Sequence, residues 1–341
     1  MGMRIEEMFR MAVCGFLALM LSFSARAENG PVGLVLSGGG AKGAYEVGVW
    51  NVLQEEGLST RVKVISGTSV GAINAVLFAT RPTAAQTLWR ENMKDVFTFN
   101  TNSIGRSVQT GMNIASDSLR VAEKTGESWR GWAHFLIQTS LHAADKYVDV
   151  TQTSASCDGY LDSSRLAVAL YANFPSEWPS DAPTVYATAV EKGPGRIRKT
   201  WRLNDEPRDR RVLMIRASAA VPVGFDTVEI DGKTYVDGGW EAHGGDNVPI
   251  TPILENHPEV RTVIVVYLDD VKHLYVAQRE RVRRAATRRG VNIVEIIPTK
   301  DISGWFGVGG MFDNSPETVR LLFELGEKDA REALKAAGLG E

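Results

Sequence analysis

The stretch of sequence that decides the fold is Val32–Gly43, VGLVLSGGGAKG, together with Val62–Gly71, VKVISGTSVG. Each segment begins with a short apolar run, which is typical of a buried β-strand, and continues into a glycine-rich turn. The segments that follow, Ala44–Glu56 and Ala72–Phe78, are predicted to be helices, and Gly57 is predicted to end the first of them. This order predicts a βαβ unit with a glycine turn at the end of each strand.

The second turn has the pattern Gly-x-Ser-x-Gly, which is typical of a nucleophile elbow. Gly67 and Gly71 allow the backbone to turn sharply, so that the hydroxyl of Ser69 is exposed at a helix N-terminus. That position favours negative charge on an alkoxide or an oxyanion.

The first turn offers backbone amides without side chains in the way, at Gly38, Gly39 and Gly40. Amides arranged in this way can stabilise the oxyanion of an acyl-transfer reaction. The two turns together predict a serine acyl hydrolase.

The composition is that of an ordinary globular protein, with 44% hydrophobic and 23% charged residues. The formal net charge of −3 gives no reason to expect a nucleic-acid partner. The oligomeric state stays open.

Residues 1–27 have the pattern of a signal peptide. Met11–Phe23 is an uncharged, mostly apolar stretch, and Ala25–Ala27 fits the small-x-small rule for cleavage before Glu28. Cleavage would leave Cys157 as the single cysteine, so no intramolecular disulfide could form. These features predict an exported bacterial protein, periplasmic or secreted. The alternative is an uncleaved N-terminal membrane anchor.

Residues 28–341 are predicted to form a single domain, with a helical insertion at about residues 82–160. The insertion is either a cap over the site that meets lipid or a set of helices that completes the core. Helical segments between further strands predict a mostly parallel sheet covered on both faces. The predicted strands are Thr184–Val190, Ile197–Leu203, Thr262–Leu268 and Asn292–Ile297.

Two further helices have distinctive sequences. Ser315–Ala337 is predicted to be an amphipathic helix capped by Ser315. Gln278–Arg289 contains six arginines and one glutamate. It could attract anionic headgroups, or it could be a solvated helix face.

A candidate base follows a predicted hairpin. The dipeptide Asp231-Gly232 between two β-rich runs is a strong hairpin signal, and the second strand of that hairpin ends at Asp237. Gly238 and Gly239 then let the backbone turn abruptly and leave the carboxylate uncovered. The alternative is an Asp-Gly-Gly turn without any chemistry.

Four motifs in this order resemble those of the patatin-like phospholipases. They are Gly38–Gly43, Gly67–Gly71, Ala217–Pro222 and Asp237–Gly239. The resemblance is clear over residues 31–80 and 184–249, and it is looser in the C-terminal third.

The resemblance implies a three-layer α/β fold with a Ser–Asp dyad and no catalytic histidine. Carried over by position, Ser69 is the nucleophile, Asp237 is the base, and the amides around Gly38–Gly40 form the oxyanion hole. Lys42 takes the basic position of the glycine loop. The implied reaction is hydrolysis of carboxylic esters in phospholipids, lysophospholipids or neutral lipids, without a metal or another cofactor. The partner that the resemblance implies is a lipid or membrane-surface substrate.

Three alternatives compete with this interpretation. His243 follows Asp237 by six residues, so a Ser–Asp–His triad is one of them. Gly38, Gly40 and Gly43 also spell the Gly-x-Gly-x-x-Gly of dinucleotide-binding proteins, but the second strand lacks the acidic residue that binds the ribose. The third alternative is a non-catalytic lipid-binding protein.

Overall fold

The computed structural model describes residues 30–91, 163–193, 195, 197–221, 225–240, 244–269, 276–302 and 313–340. The predicted signal peptide, residues 92–160 of the predicted insertion and His243 lie outside the described residues. Over those described ranges, no helix combines the length and the apolar character needed to cross a bilayer.

Eight strands of the described chain form one mixed sheet. Their bounds are β1 (Val32–Leu36), β2 (Val62–Thr68), β3 (Thr184–Glu191), β4 (Ile197–Arg202), β5 (Val228–Ile230), β6 (Lys233–Asp237), β7 (Thr262–Val266) and β8 (Asn292–Ile296). The strands β3, β2, β1, β7 and β8 are neighbours in that order and run parallel. This half of the sheet confirms the prediction of parallel strands.

The remaining strands are antiparallel, which limits the prediction of a mostly parallel sheet. β4 pairs along one edge of β3, and β6 pairs with the end of β3 on the opposite edge. β5 and β6 form the predicted hairpin, in which both Asp231 (φ 52°) and Gly232 (φ 73°) have positive φ. Two positive φ values are the signature of the tight turn that Asp-Gly favours.

The described helices are α1 (Gly43–Glu55), α2 (Val70–Thr80), α3 (Ala85–Glu91), α4 (Ser163–Asn173), α5 (Arg208–Ser218), α6 (Thr251–Asn256), α7 (Val276–Arg289) and α8 (Pro316–Ala336). One apolar core contains residues of α1 to α5 and α8, and a second core contains residues of α6 and α7. The sheet therefore lies between two helical layers, as the three-layer prediction requires.

The C-terminal helix α8 lies directly against α1. A Cβ atom on Gly48 would lie 2.2 Å from the carbonyl oxygen of Phe323, and one on Gly326 would lie 2.2 Å from that of Tyr45. The two backbones thus approach as closely as glycine allows, and α1 is buried around most of its circumference. The predicted cap of α8 is confirmed, because the hydroxyl of Ser315 accepts a hydrogen bond from the amide of Thr318.

Several arginines of the basic helix α7 bind acidic residues of the protein body. Arg279 and Arg283 contact the carboxylate of Glu295, and Arg281 contacts that of Asp246. Part of the charge that could attract anionic headgroups is therefore neutralised within the fold.

Candidate active site

Ser69 occupies the sharp turn between β2 and α2. The residue is only 4% exposed, so the prediction of an exposed hydroxyl is wrong. Its φ of 56° and ψ of −125° are rare for a residue other than glycine, and such a conformation costs about 1–3 kcal/mol. A Cβ on Gly67 would lie 2.3 Å from the carbonyl oxygen of Gly71, and one on Gly71 would lie 2.5 Å from that of Leu36. The backbone therefore approaches so closely at both positions of the elbow that only glycine fits there.

The backbone of the elbow is anchored by Ser218, at the end of α5. The hydroxyl of Ser218 accepts a hydrogen bond from the amide of Ser69 (2.9 Å) and donates one to the carbonyl oxygen of Thr188 (2.6 Å). Ser218 thereby connects the turn to β3. The sequence contained a signal for this residue, the Ala217–Pro222 motif, but that motif did not indicate a role.

The pairing along β3 brings Ser69 and Asp237 together. β2 ends with Thr68 opposite Thr188, and β6 ends with Asp237 opposite Ala189, the next residue of β3. Because β4 occupies the other edge of β3, β2 and β6 share one edge and meet end to end. The residues at their facing ends are the serine and the aspartate.

The carboxyl of Asp237 is almost completely buried. Its Oδ1 accepts a hydrogen bond from the amide of Gly239 at 2.6 Å. Its Oδ2 makes no hydrogen bond of good geometry within the described residues, although the Ser69 hydroxyl is near enough to lower the pKa of the carboxyl. Burial has the larger effect and raises the pKa of Asp237 from 3.8 to about 6.

The turn after Asp237 also depends on glycine. A Cβ on Gly238 would lie 2.1 Å from the carbonyl oxygen of Thr188. At Gly239, a Cβ would lie 2.5 Å from Oδ1 of Asn247 and 3.0 Å from Oδ1 of Asp237. The Asp-Gly-Gly sequence thus lets the chain fold back over the carboxylate, so the prediction of an uncovered carboxylate is wrong.

The glycine loop is held by Asn247, which the sequence analysis did not single out. The Gly38 amide donates to Oδ1 of Asn247 (3.0 Å), and Nδ2 of Asn247 donates to the Gly38 carbonyl oxygen (3.3 Å). The Gly38 amide is therefore engaged, whereas the amides of Gly39 and Gly40 have no acceptor among the described residues. An asparagine ten residues beyond Asp237 carries no local signal, because its partner lies 209 positions away in the chain.

Asp246, beside Asn247, fixes this segment to the protein body. Its carboxylate accepts hydrogen bonds from Arg198 (2.9 Å) and Arg281 (3.1 Å). Its backbone carbonyl oxygen accepts one from the hydroxyl of Thr68 (2.7 Å), directly before Ser69. The loop that holds the glycine turn is therefore tied to the elbow as well.

Lys42, at the basic position of the glycine loop, is buried. Its Nζ lies 3.7 Å from Oδ1 of Asp269, in the segment that follows β7. Burial lowers the pKa of Lys42, and Asp269 opposes that effect. The ion pair connects the glycine loop to β7.

The dinucleotide alternative is not supported by the surroundings of the glycines. A fingerprint of that kind needs open space where the pyrophosphate approaches the backbone. Here a Cβ on Gly38 would meet Oδ1 of Asn247 at 2.5 Å, and one on Gly39 would meet Leu268 at 2.9 Å. The two turns also lack a candidate metal site: no group of three or more potential ligands occurs anywhere in the described part of the chain.

Comparison with known proteins identifies related sequences. A family described as "Patatin-like phospholipase" matches residues 34–254, which is more than half of the chain. Lysophospholipase nte1 of Aspergillus terreus is 52% identical over 48 residues, which are 14% of this chain and 3% of that protein. The patatin-like phospholipase domain-containing protein ZK370.4 of Caenorhabditis elegans is 49% identical over 51 residues, which are 15% of this chain and 4% of that protein. The matched segments thus span less than a tenth of these relatives.

Solved structures that match most of this chain share little sequence with it. VipD of Legionella pneumophila is 16% identical with a TM-score of 0.40, covering 90% of this chain and 67% of that one. Human GIVD cytosolic phospholipase A2 is 10% identical with a TM-score of 0.45, covering 92% of this chain and 60% of that one.

Proposed function

This chain belongs to the patatin-like phospholipase family, and from that membership we propose that it is a lipid acyl hydrolase with a Ser69–Asp237 dyad. The observation that carries the proposal is the meeting of a strained serine elbow with a buried carboxyl whose pKa is raised to about 6. A carboxylate of that basicity is suited to accept a proton near neutral pH. The match to a lysophospholipase over a short segment supports a phospholipid, lysophospholipid or other acyl ester as the substrate.

In the proposed first step, Asp237 takes the hydroxyl proton of Ser69 while Oγ attacks the ester carbonyl carbon. The carbonyl oxygen becomes an oxyanion, which the amides of Gly39 and Gly40 and the N-terminus of α2 stabilise. The intermediate then collapses: the C–O bond to the alcohol breaks, and Asp237 returns the proton to the leaving alcohol.

The second step hydrolyses the acyl-enzyme. Asp237 takes a proton from water, the water oxygen attacks the acyl carbon, and a fatty acid leaves as Ser69 recovers its proton. No cofactor is required in this scheme, and Gly38 has a positioning role, because its amide binds Asn247.

The test is the initial rate on a medium-chain acyl ester for the chain from Glu28 and for Ser69→Ala. We expect Ser69→Ala to abolish hydrolysis, because no other group supplies the nucleophile. The matched control is Ser66→Ala, which removes a buried hydroxyl of β2 that has no hydrogen-bond partner among the described residues and is expected to retain activity. Equal rates in Ser69→Ala and the unmutated protein would contradict the assignment.

His243→Ala, measured beside these variants, separates the dyad from the triad. Substantial remaining activity supports the dyad, and a loss as complete as that of Asp237→Ala supports a Ser–Asp–His triad. Fatty acid release from phosphatidylcholine, lysophosphatidylcholine and triacylglycerol then identifies the lipid class.

We also propose that the protein is bacterial and exported after cleavage before Glu28. Cell fractionation and sequencing of the mature N-terminus test this proposal. A chain that keeps residues 1–27 and stays in the membrane fraction would support the N-terminal anchor instead.

A further inference from the structure

A buried polar network lies behind the glycine loop. Glu46, in the first turn of α1, has no exposed surface. Nδ2 of Asn74, on α2, donates to Oε2 of Glu46 (2.8 Å) and to the carbonyl oxygen of Gly43 (2.9 Å). Nε1 of Trp89, on α3, donates to Oδ1 of Asn74 (2.8 Å). The network joins the helix after the glycine loop to the helix that begins after Ser69.

Glu46 has no basic partner among the described residues. Its carboxyl interacts with Asn74 and with the backbone amide of Ser37, and its Oε1 makes no hydrogen bond of good geometry there. Burial raises its pKa well above the ordinary value, and the Asn74 and Ser37 interactions oppose this only in part. Such surroundings favour the neutral form of the carboxyl.

Several charged and titratable groups on the neighbouring helices have other contacts. On α1 itself, Lys42, at its N-terminus, pairs with Asp269, and the Tyr45 hydroxyl donates to Asp329 of α8. On α3, Arg90 lies over the ring of Phe323. α2 brings no charged side chain. The ionisation of Glu46 is therefore governed by burial rather than by a neighbouring charge.

We infer that Glu46 is a positioning residue that, through Asn74 and Ser37, fixes the glycine loop relative to the helix that begins after Ser69. Ser37 directly precedes Gly38, and Asn74 lies in the second turn of the helix that starts after Ser69, so one side chain contacts both halves of the site. This inference rests on the proposed function, since it assigns a role in the same reaction. Glu46 acts through these neighbours and does not contact substrate.

Ionisation of Glu46 would place an uncompensated charge in the interior. A misplacement of about 1 Å in a catalytic group can cost on the order of 100-fold in rate. We therefore expect kcat of the unmutated enzyme to fall at alkaline pH as Glu46 loses its proton and the network rearranges.

The test compares Glu46→Gln, Glu46→Leu and the control Asp329→Asn. Glutamine keeps an acceptor for Asn74 and cannot ionise, so kcat at neutral pH should stay within about twofold and the alkaline decrease should disappear. Leucine removes the acceptor, so kcat should fall about tenfold or more with KM little changed. The control Asp329→Asn alters a buried carboxyl that contacts α1 but neither the glycine loop nor the serine elbow. The decrease of kcat at alkaline pH should therefore remain in this variant. Unchanged kcat in Glu46→Leu, or identical pH profiles for Glu46→Gln and the unmutated enzyme, would overturn the inference.

Thermal unfolding tests the protonation state of the Glu46 carboxyl without a measurement of enzymatic activity. Because the pKa of Glu46 is higher in the folded state than in the unfolded state, its ionisation makes the fold less stable as pH rises above about 4.5. The Tm of Glu46→Gln minus that of the unmutated protein should therefore increase from pH 5 to pH 8, and a constant difference would overturn the neutral state. If this Tm difference increases with pH but the unmutated protein shows no Ser69-dependent hydrolysis, the proposed function fails and the positioning role fails with it. If hydrolysis depends on Ser69 and the trend is absent, only the inference about Glu46 fails.

Discussion

Burial of the Asp237 carboxyl affects both the stability of the fold and the basicity of the carboxylate. Its pKa of about 6, compared with 3.8 in water, means that the ionised form destabilises the fold by roughly 3 kcal/mol above pH 6. The Gly239 amide and the Ser69 hydroxyl offset only part of the burial effect. The same burial makes the carboxylate more basic, which is the property that the proposed base requires.

We expect kcat/KM to increase with pH as Asp237 ionises near pH 6, and Asp237→Asn to abolish hydrolysis throughout. The substitution also removes a carboxyl whose ionisation makes the fold less stable as the pH rises from the pKa of the unfolded state to that of the folded state. The Tm of Asp237→Asn relative to the unmutated protein should thus rise between pH 4 and pH 7. Rate profiles and calorimetry measure both effects, with the exposed Asp205→Asn as the control. A flat rate profile between pH 5 and pH 8 would contradict the role of Asp237.

At the scale of elements, β3 aligns the two strand ends at which the candidate site lies. β2 and β6 end opposite neighbouring residues on one edge of β3, Thr188 and Ala189. The carbonyl oxygen of Thr188 also accepts the hydroxyl proton of Ser218, whose oxygen binds the amide of Ser69. The strained conformation of the elbow is therefore stabilised by an element remote from it in sequence.

Ser218→Ala should lower kcat about tenfold and leave KM nearly unchanged, because the elbow loses its anchor while the substrate contacts remain. The substitution leaves the Ser69 amide and the Thr188 carbonyl without their partner, so Tm should fall as well. Steady-state kinetics beside Ser66→Ala isolates the effect, because that variant removes a buried hydroxyl with no hydrogen-bond partner in the described part of the chain. Full activity in Ser218→Ala would show that the turn needs no such anchor.

At the scale of the whole molecule, segments from the N-terminal and C-terminal parts of the described chain pack against each other. α8 crosses α1 at Gly48 and Gly326, and the hydroxyl of Tyr45 donates to Asp329. Asn247 similarly joins the loop after β6 to Gly38. The glycine loop is therefore supported from the C-terminal half of the chain.

Gly326→Ala should reduce the free energy of unfolding by about 1–3 kcal/mol, because the new methyl group would force α8 away from the backbone of α1. The reduction is expected even though alanine favours a helix by about 1 kcal/mol over glycine. Urea denaturation measures the change. Gly193→Ala is the control, since a Cβ there meets nothing within 4 Å. A more stable Gly326→Ala would show that propensity outweighs the close packing.

The sequence by itself determined the local features of the protein. Apolar runs before glycine turns predicted β1 and β2, the Asp231-Gly232 pair predicted the β5–β6 hairpin, and Ser315 predicted the start of α8. These predictions succeeded because strand periodicity, positive φ and helix capping depend on neighbouring residues. The residues of the proposed dyad, Ser69 and Asp237, were likewise indicated by the turns that contain them.

Only the tertiary structure decided how these pieces meet. The pairing of β6 with β3, the anchoring by Ser218, the hydrogen bonds between Asn247 and Gly38 and the network of Glu46 all join segments that are distant in the chain. The raised pKa values of Asp237 and Glu46 have the same origin, because burial depends on every segment that packs over a side chain. No local pattern records those contacts, so their energies appear only once the chain has folded.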